Sequence, residues 1–185
     1  RVPRRVVVVG AGNTAIDAAT EAARLGAEEV TIVYRRGKDE MPAYEFEYEL
    51  ALKDTVRFRW LTQPVEVLGD GKVTGLKCQQ MALGEPDASG RARPVPVEGA
   101  FFEIPVDMVI KATGQEKQTS LLSSIEGLTL NKGLVVVDSD YRTTHPRYFA
   151  GGDCINGGKE VVNAVAHGKK AAQAIAQMIK ARENA

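Results

Sequence analysis

The sequence predicts an α/β fold: a Rossmann-like parallel sheet with an inserted antiparallel ribbon, followed by a smaller region of different organisation. Residues 6–9 are all valine, which is typical of a strand buried on both faces of a parallel sheet. The turn Gly10-Ala11-Gly12 ends this strand, and a helical pattern runs from Asn13 until Gly26. Residues 30–34 form a second predicted strand, so the three elements and their turn fall within about 30 residues, the size of a βαβ unit.

The following segments extend this domain. Pro42, at an expected first helical position, opens a predicted helix that continues to Leu52, and residues 56–61 are predicted as the third strand. The turn Gly69-Asp70-Gly71 then indicates a hairpin between two extended segments. These segments are residues 64–68 and 72–83.

The predicted ribbon continues beyond this hairpin. Polar residues 84–93 are expected to form a loop that leads into another extended stretch at residues 101–104. Residues 106–112 are the last predicted strand of the parallel sheet, and Thr113 and Gly114 follow its carboxyl end. We therefore predict one domain over residues 1–114.

Residues 115–185 have a different organisation. Two short strands are predicted, at residues 134–137 and 148–150, and Gly151-Gly152-Asp153 then leads into a long amphipathic helix with apolar residues at spacings of three, four and seven. These few elements cannot bury their own apolar faces, so we expect them to be an incomplete part of a second domain.

Composition excludes several classes of protein. The 185 residues include 24 basic and 24 acidic ones, with 44% hydrophobic and 26% charged, as in ordinary globular proteins. A net charge of zero and dispersed basic residues exclude nucleic acid as a main partner. No apolar run approaches the ~18 residues of a membrane helix, and none follows the basic start as in a signal peptide, so we expect no membrane association and a cytoplasmic location.

Cysteine and histidine usage narrows the chemistry further. Cys78 and Cys154 are far apart and form no C-x-x-C motif, and His145 and His167 add no metal-ligand spacing. We therefore predict neither a metal site nor a dithiol redox centre. The chain begins with Arg1 rather than Met, almost directly before a strand, so we expect it to be a piece of a longer protein.

The residues Gly10 to Ala15 form a G-x-G-x-x-A motif between a predicted strand and a predicted helix. Gly10 permits the tight turn, Gly12 lets the backbone approach a pyrophosphate, and Ala15 lets the helix pack closely on the strand. The helix N-terminus supplies N–H groups and partial positive charge to phosphates. A glycine turn without a nucleotide is the alternative, but the strand-to-helix context favours dinucleotide binding.

Arg35 and Arg36 follow the second predicted strand, where an NAD-binding unit places an acidic residue for the ribose hydroxyls. Guanidinium groups match phosphates bidentately and stay charged, so the pair predicts binding of the 2′-phosphate of NADP. The alternative is a solvated basic turn. The location at the strand end favours NADP over NAD.

The remaining motif residues indicate no general acid or base. Gly151-Gly152-Asp153 is explained equally by a turn with a helix N-cap. His167 is expected on a helix surface, and Cys154 is expected to be a small packing residue, since no base accompanies it. We assign no catalytic residue, which agrees with hydride transfer to a flavin, where the cofactors hold the reacting atoms.

Several motifs in order resemble the NADPH domain of the glutamate synthase small (beta) subunit family, which includes the flavin/NADPH part of dihydropyrimidine dehydrogenases. The resemblance covers nearly the whole chain. The residues that carry it are Val8 to Ala19, Val33-Tyr34-Arg35-Arg36, Glu40-Met41-Pro42-Ala43, Leu83-Gly84-Glu85-Pro86-Asp87, Lys111-Ala112-Thr113-Gly114-Gln115, Ala150-Gly151-Gly152-Asp153 and Val161-Val162-Asn163-Ala164-Val165.

This resemblance implies a flavoprotein with two dinucleotide sites, in which an NADPH domain is inserted into an FAD domain. Gly10, Gly12, Asn13 and Thr14 would surround the NADPH pyrophosphate, and Arg35 and Arg36 its 2′-phosphate. Thr113 and Gly114 would lie at the crossing between the domains. Gly152 and Asp153 would contact the ribityl-phosphate region of FAD, and Glu160, Val161 and Val162 the pyrimidine edge of the flavin, where a helix N-terminus stabilises negative charge.

The family carries an earlier glycine fingerprint for FAD, often after cysteine-rich iron–sulfur segments, and these residues contain neither. We therefore expect residues 115–185 to be the returning part of an FAD domain whose N-terminal FAD and iron–sulfur part is missing. Such a piece would bind NADPH, hold FAD weakly or not at all, and be inactive alone.

The function that the resemblance implies is hydride transfer from NADPH to FAD, with electrons passed on to iron–sulfur centres and a catalytic partner subunit. A non-catalytic NADP(H)-binding sensor or structural module is the alternative. The missing C-x-x-C disfavours a disulfide reductase.

Overall fold

The computed structural model describes residues 2–86 and 90–184. Arg1 and Asp87, which the sequence analysis mentions, lie outside the described residues. Two compact units divide the chain, Arg1–Gly114 and Gln115–Ala185.

The described residues of the first unit form two sheets and two helices. Its elements are β1 (Arg5–Val9), α1 (Asn13–Arg24), β2 (Glu29–Val33), a 3-10 turn (Lys38–Glu40), α2 (Glu45–Lys53), β3 (Arg57–Arg59), β4 (Thr62–Leu68), β5 (Gly75–Pro86), β6 (Ala92–Pro105) and β7 (Met108–Lys111). A four-stranded parallel sheet has the order β3-β2-β1-β7. An antiparallel sheet with the order β4-β5-β6, here called the ribbon, is inserted between β3 and β7.

The central strand β1 is covered on both faces. Val6 and Val8 pack with Ile16 of α1 in one buried cluster. Val7 belongs to a second cluster, with Leu76 and Cys78 of the ribbon. Successive side chains of a strand point to opposite faces, so the valine run meets the helix layer on one side and the ribbon on the other. The predicted burial of both faces is confirmed.

The helix predicted to start at Pro42 starts later. α2 begins at Glu45, because the backbone of Tyr44 is extended, with φ −68° and ψ 142°. The N–H of Ala43 donates to the Ala11 carbonyl at 3.2 Å, and the N–H of Tyr44 donates to Oδ1 of Asn13 at 3.2 Å. The chain before α2 is therefore fastened to the glycine turn (Gly10, Ala11 and Gly12), and Pro42 lies outside the helix.

Strand structure enters both ends of the polar segment 84–93, which was predicted as a loop. β5 continues to Pro86 and β6 begins at Ala92, so strand pairing extends into it. The third and last strands of the parallel sheet are shorter than predicted, because only their central residues pair with β2 and β1.

The second unit contains α3 (Thr119–Ser123), a two-stranded hairpin of β8 (Leu130–Asn131) and β9 (Leu134–Val135), α4 (Asp153–Asn156) and α5 (Val161–Glu183). Residues 148–150 form no strand, since only a single bridge joins Phe149 to Arg142. Gly151-Gly152-Asp153 leads into the short α4, which ends at the left-handed Gly157, rather than directly into the long helix α5. In α5 the buried residue is Ala174.

No helix within residues 2–86 and 90–184 has the length and apolar character needed to cross a membrane.

Candidate functional site: a cavity at the glycine turn

A cavity of about 520 Å³ lies at the carboxyl ends of the parallel strands. β2 and β7 pair with opposite edges of β1, so the cavity lies at the point where strand order reverses, the usual ligand site of open α/β sheets. Its lining residues are Val9, Gly10, Ala11, Gly12, Thr14, Val33, Tyr34, Arg35, Arg36, Pro42, Gln63, Pro64, Arg91, Ala112, Thr113 and Gly114.

Gly10 directly follows β1 and lines this cavity. Its φ of +127° is a conformation that L side chains rarely adopt, and its N–H donates to the Val33 carbonyl at 3.1 Å. A Cβ here would lie 2.2 Å from the Ala112 carbonyl oxygen. Only glycine therefore allows β1 to turn this close to the end of β7.

Gly12 has a different role. It is the N-cap residue of α1, with an ordinary extended backbone, and it lines the cavity. A Cβ at Gly12 would meet no atom closer than Cγ of Pro42, at 3.9 Å. No contact within the protein requires glycine at this position. Its missing side chain instead leaves space for a ligand beside the backbone.

The N-terminus of α1 suits an anion. No acidic residue lies in its first turn, and no side chain caps it. The first N–H groups of a helix have no partner within the helix and carry partial positive charge. Thr14 lines the cavity at this end of the helix. The turn is therefore a cradle that fits a pyrophosphate group.

Two of the predicted residues of the glycine motif do not line the cavity. The Asn13 side chain accepts the N–H of Tyr44 and so fastens the loop before α2. Ala15 is fully buried between helix and sheet, and its N–H donates to Gly12. Gly10, Gly12 and Thr14 line the cavity, as do Thr113 and Gly114 after β7.

Arg35 and Arg36 line the cavity beyond β2 and differ in burial. Arg35 is exposed, whereas Arg36 is 8% exposed and its carbonyl accepts the N–H of Leu61 at 3.0 Å. The next residue, Gly37, donates its N–H to Oε2 of Glu40 at 3.0 Å. We call Arg35, Arg36 and Gly37 the arginine turn.

The cavity also contains residues that the sequence analysis did not assign to it. Gln63 and Pro64 come from the start of the ribbon, and Arg91 comes from the connection between β5 and β6. No local pattern marks them, because they reach the cavity through pairing of distant segments.

The second unit forms its own glycine turn. Gly152, with a φ of +67°, donates its N–H to Nδ1 of His167 at 3.0 Å. A Cβ on Gly151 would lie 2.8 Å from the His167 Cβ, so α5 packs closely against this turn. The expectation that His167 is a surface residue was wrong, since it is half-buried and bonded to this turn.

The remaining predicted residues of this unit surround the same turn. Oδ1 of Asp153 accepts the N–H of Lys159 at 3.4 Å. Glu160 is the N-cap residue of α5, and its carbonyl accepts the N–H of Asn163 at 3.0 Å. Val161 and Val162, the next two residues, are 77% and 73% exposed. Residues 152–162 thus present two helix starts and an apolar pair.

Among residues 2–86 and 90–184, no group of three or more His, Cys, Asp or Glu side chains is arranged to hold a metal ion.

Comparison with protein families assigns the chain. A family model described as pyridine nucleotide-disulphide oxidoreductase matches residues 1–168. The chain belongs to this family. The predicted relationship to pyridine nucleotide-dependent oxidoreductases is confirmed by this membership.

Individual members of the pyridine nucleotide-disulphide oxidoreductase family agree with the predicted resemblance. The small chain of NADPH glutamate synthase from Escherichia coli is 38% identical over 179 residues, 93% of this chain and 38% of that protein. The beta subunit of NADP(+)-dependent formate dehydrogenase from Moorella thermoacetica is 43% identical over 178 residues, 95% of this chain. The chain spans 25% of that relative's length. The resemblance to the glutamate synthase small subunit family is confirmed.

The fold of the chain is also found in solved structures. Thioredoxin reductase from T. acidophilum superposes with a TM-score of 0.70 at 29% identity, over 92% of this chain and 51% of that one. The predicted α/β class, with its parallel sheet and antiparallel ribbon, is confirmed.

Proposed function

We propose that this chain is the NADPH-binding part, with a portion of the FAD-binding part, of a flavin-dependent oxidoreductase. In the whole enzyme, hydride would pass from NADPH to FAD, and electrons would continue to iron–sulfur centres and a catalytic partner subunit. The observation that carries the proposal is the meeting of a glycine turn, a helix N-terminus and the arginine turn around one cavity. Both curated relatives described above carry NADP in their names.

Different cavity residues would bind different parts of NADPH. The backbone at Gly12, Asn13 and Thr14 would bind the pyrophosphate, because N–H groups at a helix start are unsatisfied and favour anions. Arg35 and Arg36 would bind the 2′-phosphate, since guanidinium groups pair with phosphate bidentately. Thr113 and Gly114 would border the nicotinamide half, because they follow β7 on the other side of β1.

The second unit would supply the flavin contacts. Gly152 and Asp153 would bind the ribityl-phosphate region of FAD, and Glu160, Val161 and Val162 its pyrimidine edge. The N-terminus of α5 would stabilise negative charge there. FAD, when bound, supplies the step from two-electron to one-electron chemistry. The residues 1–114 would form the NADPH domain and residues 115–185 the returning part of the FAD domain.

Fluorescence titration tests the nucleotide assignment. Trp60, the single tryptophan, has its ring centroid 6.3 Å from that of the cavity residue Tyr34, so its emission reports on the site. We expect NADPH to bind more tightly than NADH, and Arg35→Ala to reduce the difference in affinity. Arg36 is left in place because it is buried.

The matched control is Arg57→Ala. Arg57 is the first residue of β3, at the end of the sheet away from the cavity, and lies 3.7 Å from Glu29. This variant should keep the preference for NADPH. Equal affinity of the folded chain for both nucleotides would refute the assignment of the 2′-phosphate, and binding of neither would refute the dinucleotide site.

A further inference from the structure

Three of the described residues that line the cavity have cationic side chains, one more than the βαβ unit supplies. Arg35 and Arg36 belong to the arginine turn, whereas Arg91 belongs to the ribbon. No carboxylate is found among the described residues that line the cavity.

The ribbon is fastened to the arginine turn. The N–H of Leu61 donates to the Arg36 carbonyl at 3.0 Å, and the N–H of Thr62 donates to the Tyr34 carbonyl at 2.9 Å. Cδ1 of Leu83, in β5, lies 3.6 Å from the position of a Cβ on Gly37. The start of the ribbon and its middle strand are therefore both held beside the end of β2.

Strand register then places Arg91. Leu83 pairs with Pro94, and Pro86 pairs with Ala92, the first residue of β6. Arg91 directly precedes this last pair and lines the cavity together with Gln63 and Pro64 of β4. Gln63 and Pro64 directly follow Leu61 and Thr62, whose N–H groups donate to Arg36 and Tyr34, so we place Arg91 on the arginine side of the cavity.

We propose that Arg91 is a specificity-determining residue that binds the 2′-phosphate of NADPH together with the arginine turn. This inference rests on the proposed function and adds to it a part for the inserted ribbon. A phosphate monoester carries about −1.5 to −2 charges at pH 7, which a second or third guanidinium pairs with better than one. The pyrophosphate belongs to the start of α1, so the 2′-phosphate is the anion on Arg91's side.

A pair of small ligands tests this without the nicotinamide or the flavin. Adenosine 2′,5′-bisphosphate carries the 2′-phosphate, and adenosine 5′-monophosphate lacks it. We expect Arg91→Ala to weaken binding of the bisphosphate by about tenfold, the usual effect of losing a charge-assisted hydrogen bond. Binding of the monophosphate should be unchanged. Arg91→Lys should lie between, because it keeps the charge and loses the bidentate geometry.

Arg93→Ala is the matched control, since Arg93 is exposed two residues further along the ribbon and does not line the cavity. It should bind both ligands as the unmodified chain does. If Arg35→Ala weakens the bisphosphate and Arg91→Ala does not, the ribbon inference fails and the proposed function stands. Equal weakening of both ligands by Arg91→Ala also overturns the inference. If the unmodified folded chain does not prefer the bisphosphate, the proposed function fails and the inference with it.

Discussion

Gly10 and Ala112 approach so closely that a single methyl group cannot fit between them. A Cβ on Gly10 would lie 2.2 Å from the Ala112 carbonyl oxygen and 2.9 Å from its carbonyl carbon. The N–H of Ala112 donates to the Val9 carbonyl at 2.8 Å, so backbone hydrogen bonding fixes this approach. The close approach of the ends of β1 and β7 therefore requires glycine at position 10.

We predict that alanine destabilises the fold at one glycine of the turn and hardly affects it at the other. Gly10→Ala should lower the free energy of unfolding by more than about 2 kcal/mol, because it combines a strained positive φ with backbone overlap. Gly12→Ala should change it by less than about 0.5 kcal/mol, since its Cβ meets no close atom. Denaturant unfolding measures both.

The same variants separate folding from binding. Gly12→Ala should weaken NADPH binding by at least about tenfold, because its methyl group occupies the space beside the backbone where the pyrophosphate would lie. Unchanged affinity of Gly12→Ala would contradict the placement of the pyrophosphate. Stability of Gly10→Ala equal to that of the unmodified chain would contradict the close approach to Ala112.

The two cysteines should differ sharply in reactivity. Burial raises the pKa of the Cys78 thiol to about 11, and Cys78 is fully buried between the sheet and the ribbon. Its thiolate fraction at pH 8 is therefore about one in a thousand. Cys154 is exposed. A disulfide reagent such as DTNB should titrate one thiol in the native chain and two after unfolding.

The variant Cys154→Ser identifies the reactive group. It should leave the native chain unreactive, and its remaining thiol should react at the rate of unfolding. Rapid reaction of native Cys154→Ser would show that the interface between sheet and ribbon opens readily, which the burial of Cys78 contradicts.

The ion pair between Arg5 and Asp107 predicts how stability depends on pH. Arg5 donates from Nη2 at 2.7 Å and from Nε at 3.0 Å to the Asp107 carboxylate. These hydrogen bonds hold the pKa of Asp107 below its ordinary value of 3.8. A carboxyl group with a lowered pKa in the folded state stabilises above its ordinary pKa, and this contribution disappears as pH falls through the lowered value.

Asp107→Asn tests this dependence. Its melting temperature should lie below that of the unmodified chain by a constant amount between about pH 5 and pH 8, and the difference should shrink below the ordinary pKa. Asp70→Asn, in the exposed turn between β4 and β5, is the control and should show no such trend. A difference that does not change with pH would show that charge at Asp107 contributes nothing.

The sequence allowed prediction of the parts of the fold that local patterns determine. The valine run and the glycine turn locate β1 and α1, because burial on both faces and a positive φ restrict which residues are allowed. Pro42 was placed wrongly, since the chain is still extended at Tyr44 and is bonded there to Asn13, a contact that a local pattern does not reveal.

The ribbon's part in the cavity was beyond such prediction. Arg91 lies in a polar segment whose pattern indicates only a loop. Its place on the cavity wall depends on the register of Pro86 with Ala92 and on the position of Leu83 beside Gly37. Leu83 and Gly37 are far apart in the sequence, and hydrophobic periodicity does not encode such a relationship.

The hydrogen bond from Gly152 to His167 predicts a further positioning role, for the turn of the second unit. Nδ1 of His167 accepts the N–H at 3.0 Å, so the neutral ring carries its proton on Nε2. The ring also packs on Tyr141, with centroids 4.8 Å apart. His167→Ala should expose the amide of Gly152 and lower local stability by about 1 kcal/mol, the cost of an unsatisfied part-buried donor.

Hydrogen exchange at the Gly152 amide measures this effect. His167→Asn should restore protection, because the Asn side-chain oxygen can accept at nearly the position of Nδ1, although it lacks the ring that contacts Tyr141. Protection that survives in His167→Ala would mean that packing of α5 against Gly151, rather than the hydrogen bond, holds the turn. Loss of protection in both variants would mean that packing of the His167 ring, rather than the hydrogen bond to its Nδ1, holds the turn.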